Sequence, residues 1–378
     1  MVYLDHNATT PLCHEAKEAM LPFLEGRFGN PSSIHSEGRL ARAAVDDARD
    51  RLAAVLAARP HEIIFTAGGT ESCNLGVMGI ARAHVPRGKH VITSAIEHHA
   101  VLHAFEYLKH FEGFEIDILP VGQSGTVDPE SLEKAIRPDT TLASVMHANN
   151  ETGAIQPVLE LAAICQRHGV IFHTDAVQAF GKIPLKPHEQ GLSAVSIAAH
   201  KFHGPKGVGA LFVSAGVAIS RISHGGAHEN TRRPGTENVA GIAGMAAAAE
   251  SAASCDSSKL RPLREMLWKG IEEVCPGAVR NGDPEVCLAN TLNVSFPGAD
   301  GEALLIGLDL EGICVSSGSA CMVGSVQPSH VLIAMGIPSG TALASVRFSL
   351  GRETTEGDIR QTLRALERVL DLQPLAAR

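Results

Sequence analysis

Two lysines stand in one short run, His200-Lys201-Phe202-His203-Gly204-Pro205-Lys206-Gly207, directly after the apolar stretch AVSIAA (194–199). A lysine at the carboxyl end of a buried strand is poorly solvated, which lowers its pKa and frees the amine for Schiff-base chemistry. That favours Lys201 over Lys206, which sits in a Gly-Pro turn; a pair of surface lysines in a basic loop would read the same way. Asp175 ends another apolar stretch, VIFHTD (170–175), with Gln178 three residues on. A carboxylate there suits a cationic ring nitrogen such as a pyridoxal cofactor needs, and equally a helix N-cap. Gly68-Gly69-Thr70-Glu71 follows a strand and opens a helix expected over 72–81, whose free N–H groups could cradle a phosphate. It matches neither GxxxxGK[ST] nor GxGxxG, so a nucleotide fold is not supported, and a purely structural turn stays open.

Cys321 lies in the small-residue stretch VSSGSACMVGS (315–325), where a thiol is accessible and becomes a potent nucleophile once ionised. An incidental surface thiol would look alike there, and Cys314, ending an apolar run, is expected in the core. His98, His99 and His103 gather at a helix start, and His224 and His228 flank Gly225-Gly226. His99 and His103 at i, i+4 could both face a metal, but no HExxH or paired carboxylate accompanies them, so no metal is assigned.

These residues need a scaffold that delivers strand ends to one place. From residue 60 to about 215, apolar runs (EIIF 62–65, HVIT 90–93, FEIDIL 114–119, LASVMH 142–147, VIFHTD 170–175, AVSIAA 194–199, GALFVS 209–214) alternate with helical patterns. One of these helices, over 157–168, carries Val158, Leu161, Ala162 and Cys165 on one face. The alternation predicts βαβ units, hence an α/β fold with a mainly parallel sheet flanked by helices and a ligand site at the carboxyl ends of its strands. After the Ala-rich helix near 240–253, SCDSSK marks a composition shift, and 288–296 and 344–350 alternate like half-buried strands before a capped helix over 355–370. A large domain over 13–255 and a smaller α+β C-terminal domain, made from 1–12 and 256–378 and carrying the Cys321 loop, are therefore expected.

Composition narrows the function classes. The 378 residues are 44% hydrophobic and 19% charged, ordinary for a globular protein. A formal charge of −9 argues against a phosphate-backbone partner such as nucleic acid. The most apolar stretch, 240–249, is too short to span a bilayer, and MVYLDHNATTP lacks the pattern of a signal peptide, so a membrane is not an expected partner and the cytoplasm is the expected compartment. Eight cysteines without a CxxC suggest neither a disulfide framework nor a thiolate zinc site.

Taken in order, LDHNATTP (4–11), FGNPSSIH (28–35), TAGGTES (66–72), EHHAVL (97–102), HANNETG (147–153), DAVQ (175–178), HKFHGPKG (200–207), RRPGTEN (232–238), SSGSAC (316–321) and RFSLGR (347–352) resemble the cysteine desulfurases of the NifS/IscS type. These are pyridoxal-phosphate enzymes of fold type I in the class-V aminotransferase group. The resemblance implies that Lys201 carries pyridoxal 5'-phosphate and that His98 stacks on its ring and assists proton transfer. It implies that Asp175 pairs with the ring nitrogen and Gln178 with the ring hydroxyl, and that Gly69, Thr70 and His200 hold the phosphate. Thr236 would reach that phosphate from the other subunit of a homodimer. Asn150 and Arg347 would bind the carboxylate of L-cysteine, with Arg347 as a bidentate fork. Cys321 would take the sulfur as a persulfide, leaving alanine, and pass it to an iron–sulfur scaffold or another sulfur-acceptor protein, for cluster assembly or tRNA thiolation. A selenocysteine lyase or another class-V aminotransferase is the alternative. Two departures stand out: position 198 is alanine where the family commonly has a hydroxyl, and Ala227 replaces the usual glycine before His228-Glu229.

Overall fold

The computed structural model describes residues 1–317 and 327–372. The chain enters on a short strand, β1 (Val2–Tyr3), and then runs through seven strands: β2 (Ile63–Thr66), β3 (His90–Ser94), β4 (Glu115–Leu119), β5 (Thr140–Ser144), β6 (Ile171–Asp175), β7 (Ala194–Ala198) and β8 (Gly209–Val213). These form one sheet in the order β2-β8-β7-β6-β5-β3-β4, parallel except that β8 runs antiparallel to both neighbours. Every residue of β2, β3, β5, β7 and β8 is buried, which is why these strands carry apolar and small polar residues with no charged side alternating in. The exception is β4, at the edge, where Glu115 and Asp117 face outward and discourage a further strand from pairing.

Helices cover both faces. On one, Leu52, Phe172, Phe212 and Met245 belong to a continuous apolar core; on the other, Leu75, Val91, Phe105 and Leu211 form a second. The remaining strands build a smaller unit. β9 (Val279–Arg280), β10 (Thr291–Ser295) and β12 (Ser345–Ser349) make an antiparallel sheet with β10 in the middle, and β11 (Ile313–Cys314) pairs with β1. Leu4, Leu267, Phe296, Phe348 and Leu366 form its own core. The helix Glu356–Asp371 starts on a capping box between Thr355 and Asp358. Among the described residues no helix is long and apolar enough to cross a membrane.

Three local expectations shift. Glu62 is not in a strand but in a 3-10 turn, buried and accepting the N–H groups of Arg59 and Ala215, a role an apolar pattern cannot reveal. The fifth strand runs from Thr140 to Ser144, earlier than the run 142–147, although Val145 and His147 still donate to the β6 carbonyls of His173 and Asp175. Cys314 is only half-buried, since β11 lies against β1 near the surface.

Candidate active site

The parallel strands deliver their carboxyl ends to a common cleft. Asp175 is the last residue of β6, Lys201 ends a 3-10 turn directly after β7, His98 follows β3, and Asn150 follows β5. Lys201 Nζ donates to the carbonyls of Asn7 at 2.6 Å and Ala8 at 2.8 Å. Burial, and then the positive Arg347 nearby, push its pKa down to about 8, with Asp175 and Asp5 pulling the other way. A lysine with that pKa has roughly a tenth of its amine free at pH 7, some hundredfold more than a solvated one.

Asp175 is 6% exposed and accepts the Val177 N–H at 2.9 Å, a local turn rather than a helix cap. Burial pushes its carboxyl up, while His98 and Lys201 pull it back; a cation placed beside it would relieve the cost of its charge. His98 caps the helix His99–Glu112 through Nδ1, which accepts the Ala100 N–H at 3.1 Å. The residue keeps an exposed surface, yet desolvation by the surrounding protein, ahead of the opposing pull of Asp175, lowers its pKa. Gln178 is bonded at both ends of its amide, donating to the Asn7 carbonyl at 2.8 Å and accepting from Lys182 Nζ at 2.7 Å, with one N–H and one lone pair left over.

Beside them lies a cleft of about 750 Å³ lined by Thr9, Gly68, Gly69, Thr70, His200 and Lys206, among others. The helix here starts at Gly69, three residues earlier than expected, and continues through a π-helical turn (Leu75–Gly79) to Ala83. Its first i→i−4 bond runs from Ser72 to Gly68, so the N–H groups of Gly69 and Thr70 precede the ladder and face the cleft mouth. Glycine is needed twice nearby. A Cβ on Gly209 would lie 2.7 Å from the Gly68 backbone, and one on Gly76 2.8 Å from the His173 ring, so β8 and the helix approach the cradle as only glycine allows. His200 Nδ1 is 3.2 Å from Thr9 Oγ1, and burial lowers its pKa to about 4.

Arg347, on β12, comes from the smaller unit to within electrostatic reach of Lys201. It is 4% exposed; Nη1 donates to the Asn150 carbonyl at 2.9 Å and Nη2 to Asp5 Oδ1 at 2.7 Å. Thr236 does not join this group: it is exposed and lines a smaller neighbouring cleft with Phe65, Thr66 and Gly207, the last of which also lines the cradle cleft. The loop that carries Thr236 is tied down by ion pairs of Arg49 with Glu229 and Arg42 with Glu237. The first of these sustains a left-handed backbone at Glu229, Asn230 and Thr231, and Ala227 is exposed just before it. Cys321 lies outside the described residues. The histidine group tightens in the fold, with His99 4.9 Å from His330 and 5.1 Å from His103 between ring centres, but among the described residues no three metal-binding side chains converge.

The arrangement is a cleft holding a reactive amine, a buried carboxylate, an anion cradle and a guanidinium. The family model described as aminotransferase class-V matches residues 2–362. The chain belongs to the class-V aminotransferases. Among its relatives in that family, a cysteine desulfurase IscS from Dictyoglomus turgidum is 49% identical over 98% of this chain and 94% of its own length. A solved NifS-like protein superimposes with a TM-score of 0.91 at 39% identity, covering 98% of this chain and 99% of that one. A solved SspA in complex with cysteine gives a TM-score of 0.83 at 34% identity over 93% of this chain and 99% of that one.

Against that family background, several side chains that reading the sequence did not single out prove central. Asn7 is a hub: besides its carbonyl, its side chain accepts from Lys182 and Asn290 at 3.0 Å each and donates to Thr291 at 2.9 Å. Lys182 is a second buried amine, held well below its ordinary pKa by burial first and then by Lys201 and Arg347. Glu97, beside His98, is buried with its carboxyl pushed up to about 8 by burial, accepting from Ser94 Oγ at 2.5 Å and the Met146 N–H at 2.8 Å. Only the i+4 spacing of Gln178 and Lys182 on a common turn could have pointed to one of them.

Proposed function

We infer that this class-V aminotransferase family member is a cysteine desulfurase that uses pyridoxal phosphate, and that Lys201 carries the cofactor. The observation that carries the reading is Lys201 itself: an amine with a pKa of about 8 directly after β7, within electrostatic reach of Asp175 and next in the chain to His200, which lines the Gly68–Thr70 cradle. When bound, pyridoxal phosphate supplies an electron sink for the amino acid's α-carbon. The chain's residues do the rest. Asp175 would keep the ring nitrogen protonated, the N–H groups of Gly69 and Thr70 with His200 would hold the phosphate, and Gln178 would meet the ring hydroxyl with its amide. His98, largely unprotonated near pH 8, and Lys201, about half unprotonated there, would move protons at the substrate carbon. Arg347 and Asn150 bind the substrate carboxylate. The Cys321 thiolate bonds to the substrate sulfur as the carbon–sulfur bond breaks; its electron pair stays on the carbon skeleton, which takes up a proton and leaves as alanine.

The sulfur then passes from Cys321 to an acceptor protein of iron–sulfur assembly or tRNA thiolation. We place the site within a homodimer, with Thr236 serving the partner's phosphate, because Thr236 is exposed and does not line the cradle cleft of its own chain and because Phe28 and Ile34 are 86% and 91% exposed. The two separate cores support a large domain over 13–255 and a small one from the rest. The seven described cysteines are free thiols, in keeping with a cytoplasmic setting.

Purified protein supplied with pyridoxal phosphate and L-cysteine is expected to turn yellow and, with a reductant, to release alanine and sulfide in equal amounts. Loading without sulfide release would favour a different class-V amino-acid reaction, release from L-selenocysteine alone would favour a lyase for that substrate, and failure to take up the cofactor would end the reading.

The missing hydroxyl at position 198 has a measurable consequence. Ala198 is buried at the end of β7, and a Cβ on Gly69 would lie 3.3 Å from its own, so its side chain faces the cradle. A hydrogen bond to a charged group contributes roughly 1.5–3 kcal/mol, and a phosphate already held by several donors gains the lower part of that. Ala198→Ser is therefore expected to slow cofactor loss to hydroxylamine by about tenfold, the factor equivalent to ~1.4 kcal/mol. Equal or faster loss would show that the cradle is complete without that hydroxyl.

A further inference from the structure

We propose that Asp5 is a positioning residue for the substrate carboxylate: it holds the Arg347 guanidinium in place before substrate arrives and competes with the substrate for it, and so sets the affinity for L-cysteine. The proposal rests on the reading of Arg347 as the carboxylate-binding residue.

A guanidinium as buried as Arg347 needs an anion, because an unpaired charge away from water is costly. Asp5 supplies it at 2.7 Å, with a side chain that remains 20% exposed and so borders the cleft. The Asn150 carbonyl takes Nη1, and Nε, also buried, has no partner among the described residues. An incoming carboxylate that forks onto Nε and Nη2 thus meets one free donor and one already held by Asp5. The backbone fixes this arrangement. Asp5 bridges to Ser349, two residues along β12 from Arg347 and on the same face, through the bonds Ser349 N–H to Leu4 and His6 N–H to Ser349.

The same strap serves the amine end of the site. Asn7, two residues after Asp5, accepts from Lys201 through its carbonyl, and its side chain donates to the Asn150 carbonyl at 3.2 Å, the one Arg347 also uses. Residues 5–8 therefore hold both the guanidinium that meets a carboxylate and the amine that meets the cofactor. Arg347 and Asp5 also act on Lys201 with opposite sign, the first lowering and the second raising its pKa.

The test is Asp5→Asn, which keeps an oxygen for Nη2 and removes only the charge. In the loaded enzyme KM for L-cysteine is expected to fall roughly tenfold, the order produced by removing one like charge about 5 Å from the substrate carboxylate in a partly screened cleft, with a smaller change in kcat. In the apoprotein, the pH midpoint for labelling Lys201 with an amine reagent, read by peptide mass spectrometry, is expected to move below that of the unaltered protein. A purely structural role would do the reverse: loosening the strap would raise KM and let water return the midpoint toward that of an ordinary lysine. An unchanged or raised KM, or a midpoint that stays or rises, overturns the proposal. If Asp5→Asn does not fold, Asp5→Ser is measured by the same two readouts and judged by the same outcomes. Arg347→Gln separates the two levels: if its KM for L-cysteine does not rise, the carboxylate assignment of Arg347 itself fails, whereas a raised KM there with no fall in Asp5→Asn removes only the role of Asp5.

Discussion

Lys201→Ala is expected to lose covalent cofactor attachment and to lower kcat/KM for L-cysteine by at least about 10⁴-fold, since one side chain is both the attachment point and a proton carrier. Borohydride reduction of the unaltered protein should fix the cofactor to the peptide that contains Lys201. The rate at which apoprotein captures pyridoxal phosphate carries a pH signature. The attacking species is the neutral amine, and with a pKa of about 8 its fraction rises about tenfold per pH unit up to pH 8 and then levels. An ordinary lysine would still be climbing at pH 10. The rival is Lys182, also buried and with its pKa also held down, but tied to Gln178 at 2.7 Å and Asn7 at 3.0 Å. Cofactor fixed to Lys182 or Lys206 in the alanine variant, with activity retained, would reassign the site.

Cys321→Ala is expected to bind cofactor and L-cysteine normally and to lose alanine and sulfide production, with turnover down at least about a thousandfold because the sulfur then has no nucleophile to receive it. The fold leaves few competitors. Cys73, Cys165 and Cys287 are buried and their thiols are pushed up by burial, Cys165 to about 12, so they are not thiolates at neutral pH. Cys13 is also shifted up, and Cys314 is half-buried in β11. Cys255 is exposed but lies in a cleft with Val55 and Leu185 that neither Lys201 nor Arg347 lines. Cys255→Ala, measured alongside, should behave as the unaltered protein; full turnover in Cys321→Ala would move the nucleophile.

Much of this was legible before any coordinates. Seven runs mark the seven strands of the main sheet to within a few residues, because strands buried on both faces have no charged side to break the pattern, and only the edge strand β4 alternates. Placing Lys201 and Asp175 at strand ends needed only that periodicity, and their chemistry follows from burial at the rim of a parallel sheet. Naming the cofactor needed the ordered motifs, since a lysine and an aspartate alone fit bland alternatives. The start of the helix at Gly69 was missed because Gly-Gly has poor helix propensity, and the π-turn that follows has no signal of its own.

By itself, then, the sequence determined the layered α/β architecture, the strand-end chemistry and the family, all of which depend on local patterns of burial and on residue types at fixed spacing. Tertiary structure alone decided what neutralises and orients those groups. Asp5 and Arg347 are 342 residues apart, Asn7 and Lys201 194, and Asp175 and His98 meet only because β6 and β3 share a sheet. Contacts of that range are set by how the N-terminal strap and β12 pack against the large sheet, and charge at a site depends on distance and exclusion of water, quantities that neither spacing along the chain nor composition carries.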